Sequence, residues 1–556
     1  MKIRYKVLAL GAVSTLALGL AACSGGGGGD KPAEGDAAQI ADAQSVGAMD
    51  DFEVGTTFKA TEPIEVGLMY RDHPNYPLKD DWSILENIEK NQNVTFDIQS
   101  IPLADWGTKR TQLIQTGDAN DIIPSTYVAD VQNVTAGLLP LSDYLDYMPN
   151  FTDKVEKWGL EDELDRTRDA DGKFYVLPGL LENAKPDYTI AIRQDWWDAA
   201  GLEDPKTWDE FAEQLQVIKE AHPELSFPYT ERWNTTNNNQ PMAAILQAAS
   251  GNFGTEAGWG FGDGVTWNGD EYEFSGTQEG FKELLTYFHG LVEDGLLDPD
   301  GITQDDDTAK AKFTTGKVAA ISSNSQVITE YRSGFTEAGN ADAVVRNIVV
   351  PGGPAGDVMD ATTGGHFESG VALSKDAADK PYFKALLQYV DWLYFSDEGL
   401  EFAKWGVKGE TYDINADDKR QLLEGIDWNG TNPDAGAEPK MLNTDFGFYN
   451  GVFLLAHGST ADLVQSTLNP EVAEFQATMN ERKEVAEGGP AIPLTEVQRT
   501  KIAVAQANLT GAVHTATAQF IKGDRDLADW DAYVTELQGL GMDDYVATMN
   551  EAAGVK

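Results

Sequence analysis

The sequence predicts an α/β fold whose sheets are built from strands joined by crossover helices, followed by a helical C-terminal region. Three observations carry this reading. Strand-length apolar runs alternate with amphipathic helical stretches from about residue 63 to residue 395, the pattern of a parallel sheet. The last hundred residues have largely helical periodicity. The ~500 residues that follow the N-terminal segments suggest two to four domains, or two large ones.

Lys2, Arg4 and Lys6 precede an apolar run from Val7 to Leu20, and Leu20-Ala21-Ala22-Cys23 follows. A positive start, an apolar stretch and small residues at the cut are the layout of a secretory signal peptide over residues 1–22. The apolar run is shorter than the ~20 residues a spanning helix needs. Cys23 is the only cysteine in the chain, so no internal disulfide can form and stability must come from packing. Residues 23–57 hold five consecutive glycines, Gly25 to Gly29, and then scattered acids among Ala, Gly and Gln. Such a segment buries little apolar surface and is expected to be a flexible tether.

The folded body is expected to begin near Pro63. Ile64–Met69 reads as a buried strand, Ile84–Asn91 as a helix and Val94–Ile98 as a second strand. Trp106–Gln115 reads as a helix and Asp121–Ile123 as a third strand. Thr189–Ile192 is a strand, and Thr207–Ala221 is a helix that Thr207 can cap. Phe281–Asp294 reads as a helix, Val318–Ile321 and Asn347–Val350 as strands, Val371–Leu373 as a strand and Lys380–Phe395 as a long helix. No internal repeat of 20–50 residues is visible.

Composition excludes several functions. The chain carries a net charge of −50, and losing residues 1–22 removes three basic and no acidic side chains, leaving it near −53. Nucleic acid binding needs basic patches that replace counterions, so no nucleic-acid partner is expected. Direct adhesion to an anionic membrane is disfavoured too. Such a charge keeps a protein soluble, and a monomer is expected. There is no Gly-x-Ser-x-Gly, no phosphate-binding Gly-x-x-x-x-Gly-Lys-Ser/Thr and no His-x-x-x-His or Cys/His cluster for zinc. No catalytic residue, cofactor or metal is assigned. A glycosidase needs only two carboxylates, and 91 acids leave that class open while singling out no pair.

Several motifs, taken together, resemble those of the extracellular solute-binding proteins of ABC importers, in the long lipoprotein branch of the group that includes maltose-binding protein. Leu20-Ala21-Ala22-Cys23 resembles a bacterial lipobox. Thr116-Gly117-Asp118-Ala119-Asn120-Asp121-Ile122-Ile123 is similar to the family's Ser/Thr-Gly-Asp-x-Pro-Asp-Ile-Ile, with Asn120 in place of Pro. Gly137-Leu138-Leu139-Pro140-Leu141, Asp171-Gly172-Lys173-Phe174-Tyr175-Val176-Leu177-Pro178 and Arg193-Gln194-Asp195-Trp196 with Pro205-Lys206-Thr207-Trp208 resemble further family segments in the expected order. So do Phe313-Thr314-Thr315-Gly316, Ser396-Asp397-Glu398-Gly399 and Tyr533-Val534-Thr535-Glu536-Leu537.

The resemblance implies a two-lobed, periplasmic-binding-protein-like fold with hinge crossings near residues 180–188 and 345–370. Lobe 1 is expected over 58–182 plus 350–440, and lobe 2 over 183–349 plus 441–556. It implies capture of a carbohydrate, an oligosaccharide, in the inter-lobe cleft. Delivery to ABC permease subunits and membrane attachment through a lipid on Cys23 are implied as well. A surface glycosidase and a tethered carbohydrate sensor or adhesin remain as alternatives. Alginate-type members carry a calcium loop after the helix that begins at Thr207; here the region reads His222-Pro223-Glu224-Leu225-Ser226, with too few oxygen ligands, so no calcium is expected there. Asp305-Asp306-Asp307 reads as a solvated loop.

A sugar presents a C–H face to flat rings and a rim of hydroxyls to polar side chains. Open α/β folds bind ligands beyond the carboxyl ends of their strands. The candidate contacts are therefore Asp72 and Tyr76 after the first strand, Tyr127 after the third, and Arg193. Trp233 and Asn234 fall where maltose-binding protein has stacking aromatics. Asn324 and Gln326 follow strand Val318–Ile321, His366 precedes a crossing strand, and Phe446 and Tyr449 lie in a glycine-broken aromatic loop. Trp233 stands in a polar segment where no periodicity demands a buried ring. Trp106, Trp196, Trp208, Trp392 and Trp405 read as core.

Cys23→Ala is expected to leave the chain uncleaved or to release it to the soluble fraction, read by fractionation and by N-terminal mass of the wild type. Unchanged membrane association, with an unmodified wild-type N-terminus, contradicts the lipobox reading.

Overall fold

The computed structural model describes residues 39–74, 76–234, 240–428 and 430–555. The expected signal peptide and lipobox-like segment, with Cys23, lie outside the described residues. Among those described, no helix is long and apolar enough to cross a membrane.

Two sheets organise the chain. The first runs, in spatial order, Val94–Pro102, Ile64–Asp72, Ile122–Thr126, Phe367–Leu373 and Val176–Leu180. Its first three strands are parallel, with Ile64 opposite Val94 and Leu68 opposite Ile122, as the strand–helix alternation predicts. Phe367–Leu373 is antiparallel to both neighbours. It arrives from the other lobe rather than through a crossover helix, so nothing forces it parallel. Gly370 is required here: a Cβ would stand 1.9 Å from the carbonyl oxygen of Leu177. The second sheet runs Val345–Asn347, Thr189–Arg193, Ala320–Ser323 and Tyr229–Thr230. The expected strand Asn347–Val350 therefore sits slightly earlier, at Val345–Asn347.

Each sheet is covered on both faces, which accounts for its continuous apolar runs. Val66, Leu68, Ile122 and Leu373 of the first sheet pack with helix Phe383–Phe395, while Met69, Ile123 and Ala372 face a second cluster around Trp106. That helix is buried all round, so its polar groups must be satisfied internally. Asp391 accepts from the backbone N–H of Asn150 (2.9 Å) and Phe151 (2.8 Å), capping helix Pro149–Trp158 from outside. Ile190, Ile192 and Ala320 of the second sheet pack with helices Trp208–Ala221, Glu279–Glu293 and Glu496–Lys522. Thr207 caps the first of these by accepting from Glu210 N at 3.1 Å. Asp305 does not sit in a free loop: it caps helix Asp306–Thr314 by accepting from Thr308 N at 2.7 Å.

The chain passes between the two cores three times. Residues 181–188 link strand Val176–Leu180 to strand Thr189–Arg193, and residues 348–366 return. The third passage corrects the expected boundary at 441. Leu442, Phe448, Val452, Phe453, Leu455 and Leu463 belong to the first core, and Phe475 and Met479 to the second. The aromatic and leucine pattern of 442–463 states burial but not in which lobe. Val350 and Met359 likewise pack in the second core rather than the first.

The tether expected over 23–57 is not seen in its described part. Residues 39–57 lie against the first core, with Ile40, Val46, Met49 and Phe52 packed on it. Gln388 holds this strap at both ends of its amide: Met49 N donates to its Oε1 at 2.9 Å and its Nε2 donates to Met49 O at 2.9 Å. Gly55 N donates to Asn150 Oδ1 at 2.9 Å. Composition averaged over 35 residues hides these four apolar side chains that dock. Removing residues 39–57 should cost at least about 3 kcal/mol of stability, since each such side chain contributes about 1.5–3 kcal/mol when fully buried and these are partly so. Urea unfolding of chains beginning at residues 39 and 58 measures it, and equal midpoints contradict the assignment.

Candidate functional site

The largest cavity, about 1300 Å³, lies between the two cores. The loop after strand Ile64–Asp72 contributes His73 and Tyr76, the segment 405–449 contributes Trp428 and Tyr449, and the start of helix Val327–Glu337 contributes Gln326 and Glu330. Lys185 enters from the first crossing and His457 from the loop before the third.

Two pairs of flat rings line it. Trp428 and Tyr449 are stacked, with centroids 3.9 Å apart and planes 23° apart. His73 and Tyr76 are stacked at 4.7 Å and 12°. Trp428 is presented by a turn that its neighbours lock. Asp427 accepts from Gly430 N (2.8 Å) and Asn432 N (3.0 Å), and Asn432 Nδ2 donates to the carbonyls of Leu422, Leu423 and Ile426. Tyr449 has φ 51°, a left-handed backbone, and its hydroxyl lies 3.0 Å from Thr467 Oγ1. Burial raises its pKa, so the phenol stays protonated.

The charges around the cavity are matched. Arg332 meets Glu471 at 2.6 Å, and Arg420 meets Glu401 (3.0 Å) and Asp462 (2.7 Å). Lys185 lies 3.8 Å from Glu368. Burial works against the Lys185 charge, but Glu368 and Asp187 outweigh it and its pKa is raised. The same ammonium, with burial, drives the His457 pKa well down, so this imidazole is neutral. Glu330 is the only acid among the described lining residues, and Lys310 holds it at 2.7 Å. Glycoside hydrolysis needs two carboxylates across the scissile bond, and this wall does not supply them. What the cavity offers is ring faces, amides, hydroxyls and a neutral imidazole.

The sequence-derived candidates fall into four groups. Tyr76, Gln326 and Tyr449 line the large cavity. Tyr127 is 54 % exposed on the first lobe, its phenol pKa raised by burial of the hydroxyl end and by Glu368. His366 lines a smaller cavity and its Nδ1 is 2.7 Å from Glu163 Oε1. The rest are committed within the protein. Asp72 accepts from Leu78 N at 3.1 Å and holds the loop that carries His73 and Tyr76. Arg193 is paired through Nε and Nη2 with Asp195 and lies between the rings of Trp196 and Phe335. Asn234 accepts from Met242 N and donates to the carbonyls of Gly301 and Gln304. Asn324 accepts from the N–H groups of Gln326 and Val327. Phe446 packs on the first core, under the Lys440 ammonium.

Trp233 differs most from its expected role. It is 9 % exposed, with φ 62°, and packs against Tyr188 (5.5 Å) and Trp259 (6.0 Å), while the Arg232 guanidinium lies 4.8 Å from its ring centre. A polar flank does not keep a ring exposed when other aromatic rings arrive from distant segments. Trp196 is only partly buried, stacked on His222 at 3.9 Å. Trp428, Lys185 and His457 also line the cavity and were not among the candidates. Like Trp233, Trp428 stands among polar residues, in Gly425-Ile426-Asp427-Trp428-Asn429-Gly430.

Comparison with known proteins now places the chain. The family model described as bacterial extracellular solute-binding protein matches residues 76–400. The fructooligosaccharide ABC transporter substrate-binding protein FusA of Streptococcus pneumoniae serotype 4 is 24% identical over 535 residues, covering 89% of this chain and 90% of its own. An extracellular solute-binding protein from Bifidobacterium longum subsp. infantis has a solved structure that superposes with a TM-score of 0.67 at 16% identity, over 90% of this chain and 99% of that one. FusA in complex with kestose superposes with a TM-score of 0.61 at 19% identity, over 88% and 99%. Those structures share the two-lobed fold. With a family match over more than half its length, the chain belongs to the bacterial extracellular solute-binding proteins, and it is a binding protein rather than an enzyme.

Proposed function

We propose that the protein binds a neutral oligosaccharide in the cavity between its lobes and passes it to the permease of an ABC importer, while a lipid on Cys23 holds it at the outer face of the membrane. The observation that carries the ligand class is the cavity wall: two stacked ring pairs, neutral hydrogen-bonding groups and charges already matched. Rings take the C–H faces of sugars, and amides and hydroxyls take the rims. A volume of about 1300 Å³ is larger than the ~300–1,000 Å³ usual for small-molecule pockets, which suits a chain of sugars. FusA, named for fructooligosaccharides, supports the same class. Hinge-bending proteins close around such ligands, and closure desolvates and strengthens the hydrogen bonds inside.

A thermal-shift screen over mono- and oligosaccharides, including kestose, tests the class, because a ligand at 100 times its Kd stabilises by ~2.7 kcal/mol. For a sugar that binds, Trp428→Ala should weaken affinity roughly thirtyfold, since losing a rigid aromatic anchor costs ~2 kcal/mol. Its ligand-free melting should change little, because Trp428 is only half-buried. Unchanged affinity by titration calorimetry removes Trp428 from the site. Delivery is read separately, as loss of uptake of the same sugar by cells lacking the protein.

A further inference from the structure

A second cavity, about 440 Å³, lies against all three crossings. The first crossing contributes Asn183 and Lys185, the second Gly364 and His366, the start of the third Gln465, and the loop before it Ser459. Helix Pro470–Arg482 of the second lobe closes it with Gln476, Ala477 and Asn480. Its volume falls in the ~300–1,000 Å³ range of small-molecule sites. The wall is tightly built. Asn480 Nδ2 donates to Ala184 O at 2.8 Å, tying the helix to the first crossing. A Cβ on Gly364 would stand 2.5 Å from the methyl carbons of Val485, so only glycine permits this approach.

Two polar groups on this wall are buried and without a hydrogen-bond partner: Ser459 Oγ, on a residue 1% exposed, and Gln476 Nε2, on a residue 7% exposed. Buried polar groups in native proteins are nearly always paired, and two orphans on one cavity point to an occupant that supplies hydrogen bonds. The charged groups nearby are engaged except for Glu481, which is exposed to solvent. His366 is held by Glu163, Lys185 is matched by Glu368, and Lys483 Nζ donates to Asn252 Oδ1 at 2.7 Å. What remains is amide and hydroxyl chemistry from Asn183, Ser459, Gln465 and Gln476. Lys185 and Val464 line both this cavity and the large one, so the two adjoin.

We propose that this chamber is a second binding site, for one neutral polyhydroxylated unit. The unit is either the end of a sugar chain seated in the main cleft or a free polyol of monosaccharide size; only the first source rests on the reading above. An occupant touches every crossing, so its binding energy acts on the segments that bend when the lobes close.

Titration calorimetry with glucose, fructose, galactose and glycerol as free units, and kestose and maltotriose as chains, tests it. The proteins are the wild type, Gln476→Met, Ala477→Trp and the main-cleft variant Trp428→Ala. Gln476→Met keeps the side-chain length and removes the amide; Ala477→Trp fills the space. At least one probe should lose tenfold or more in affinity in both chamber variants, with melting temperatures near the wild type. If Ala477→Trp does not fold, Gln476→Met decides alone. A monomer that still binds Trp428→Ala but not the chamber variants marks a free polyol. A trisaccharide weakened by all three variants, with no monomer bound, marks a chain end. Probes that bind the wild type and ignore both chamber variants overturn the chamber and leave the carbohydrate reading standing. Absence of any binding overturns that reading and the chamber's polyol chemistry with it.

Discussion

One buried ammonium holds the floor of the cleft. Lys404 has no exposed surface, and its Nζ donates to the carbonyls of His457 (2.8 Å), Leu463 and Val464 (3.3 Å). An ammonium has three donors and no acceptor, so three carbonyls satisfy it. Burial, reinforced by Lys185 and Arg420, pushes its pKa well down, which measures how costly this charge is in place. The loop it grips is strained: Ala456, His457 and Ser459 have φ of 47°, 55° and 63°. Non-glycine residues in that region cost about 1–3 kcal/mol each, and such strain persists only where surrounding contacts over-determine it. Helix Asp397–Trp405 supplies those contacts from the first core.

The rest of the site depends on that grip. His457 faces the cleft and Ser459 the rear chamber, both from this loop. The carbonyls of Leu463 and Val464 belong to helix Ala461–Gln465, where the third crossing begins. Lys404 also lies 5.2 Å from the centre of the Tyr449 ring, one member of the stacked pair. One side chain of the first lobe thus fixes an aromatic platform, a neutral imidazole and the start of a hinge segment.

The fold was more legible than the site. Strand–helix alternation located the parallel strands and most helices of both lobes, because burial on two faces leaves continuous apolar runs. Lobe membership was not legible after residue 440, since Leu442 and Phe475 look alike to any measure of hydrophobicity. The strap at 39–57 was masked by its glycine-rich neighbours. At the site, the loops that carry Tyr76, Gln326 and Tyr449 reach the cavity between the cores. Asn234 and Asn324 were not separable from ligand-binding amides, because a buried Asn serving the backbone has the same local sequence. Trp428 needed Asp427 and Asn432 to be seen as a locked turn, and Trp233 needed Tyr188 and Trp259 to be seen as its neighbours.

In the proposed function, two separately packed cores close on a sugar chain about three crossings. Small-angle X-ray scattering of the protein titrated with an oligosaccharide that binds it, kestose first, tests this most directly. The account predicts a smaller radius of gyration at saturation, with a midpoint that matches the calorimetric Kd. Saturating sugar with an unchanged scattering curve contradicts it.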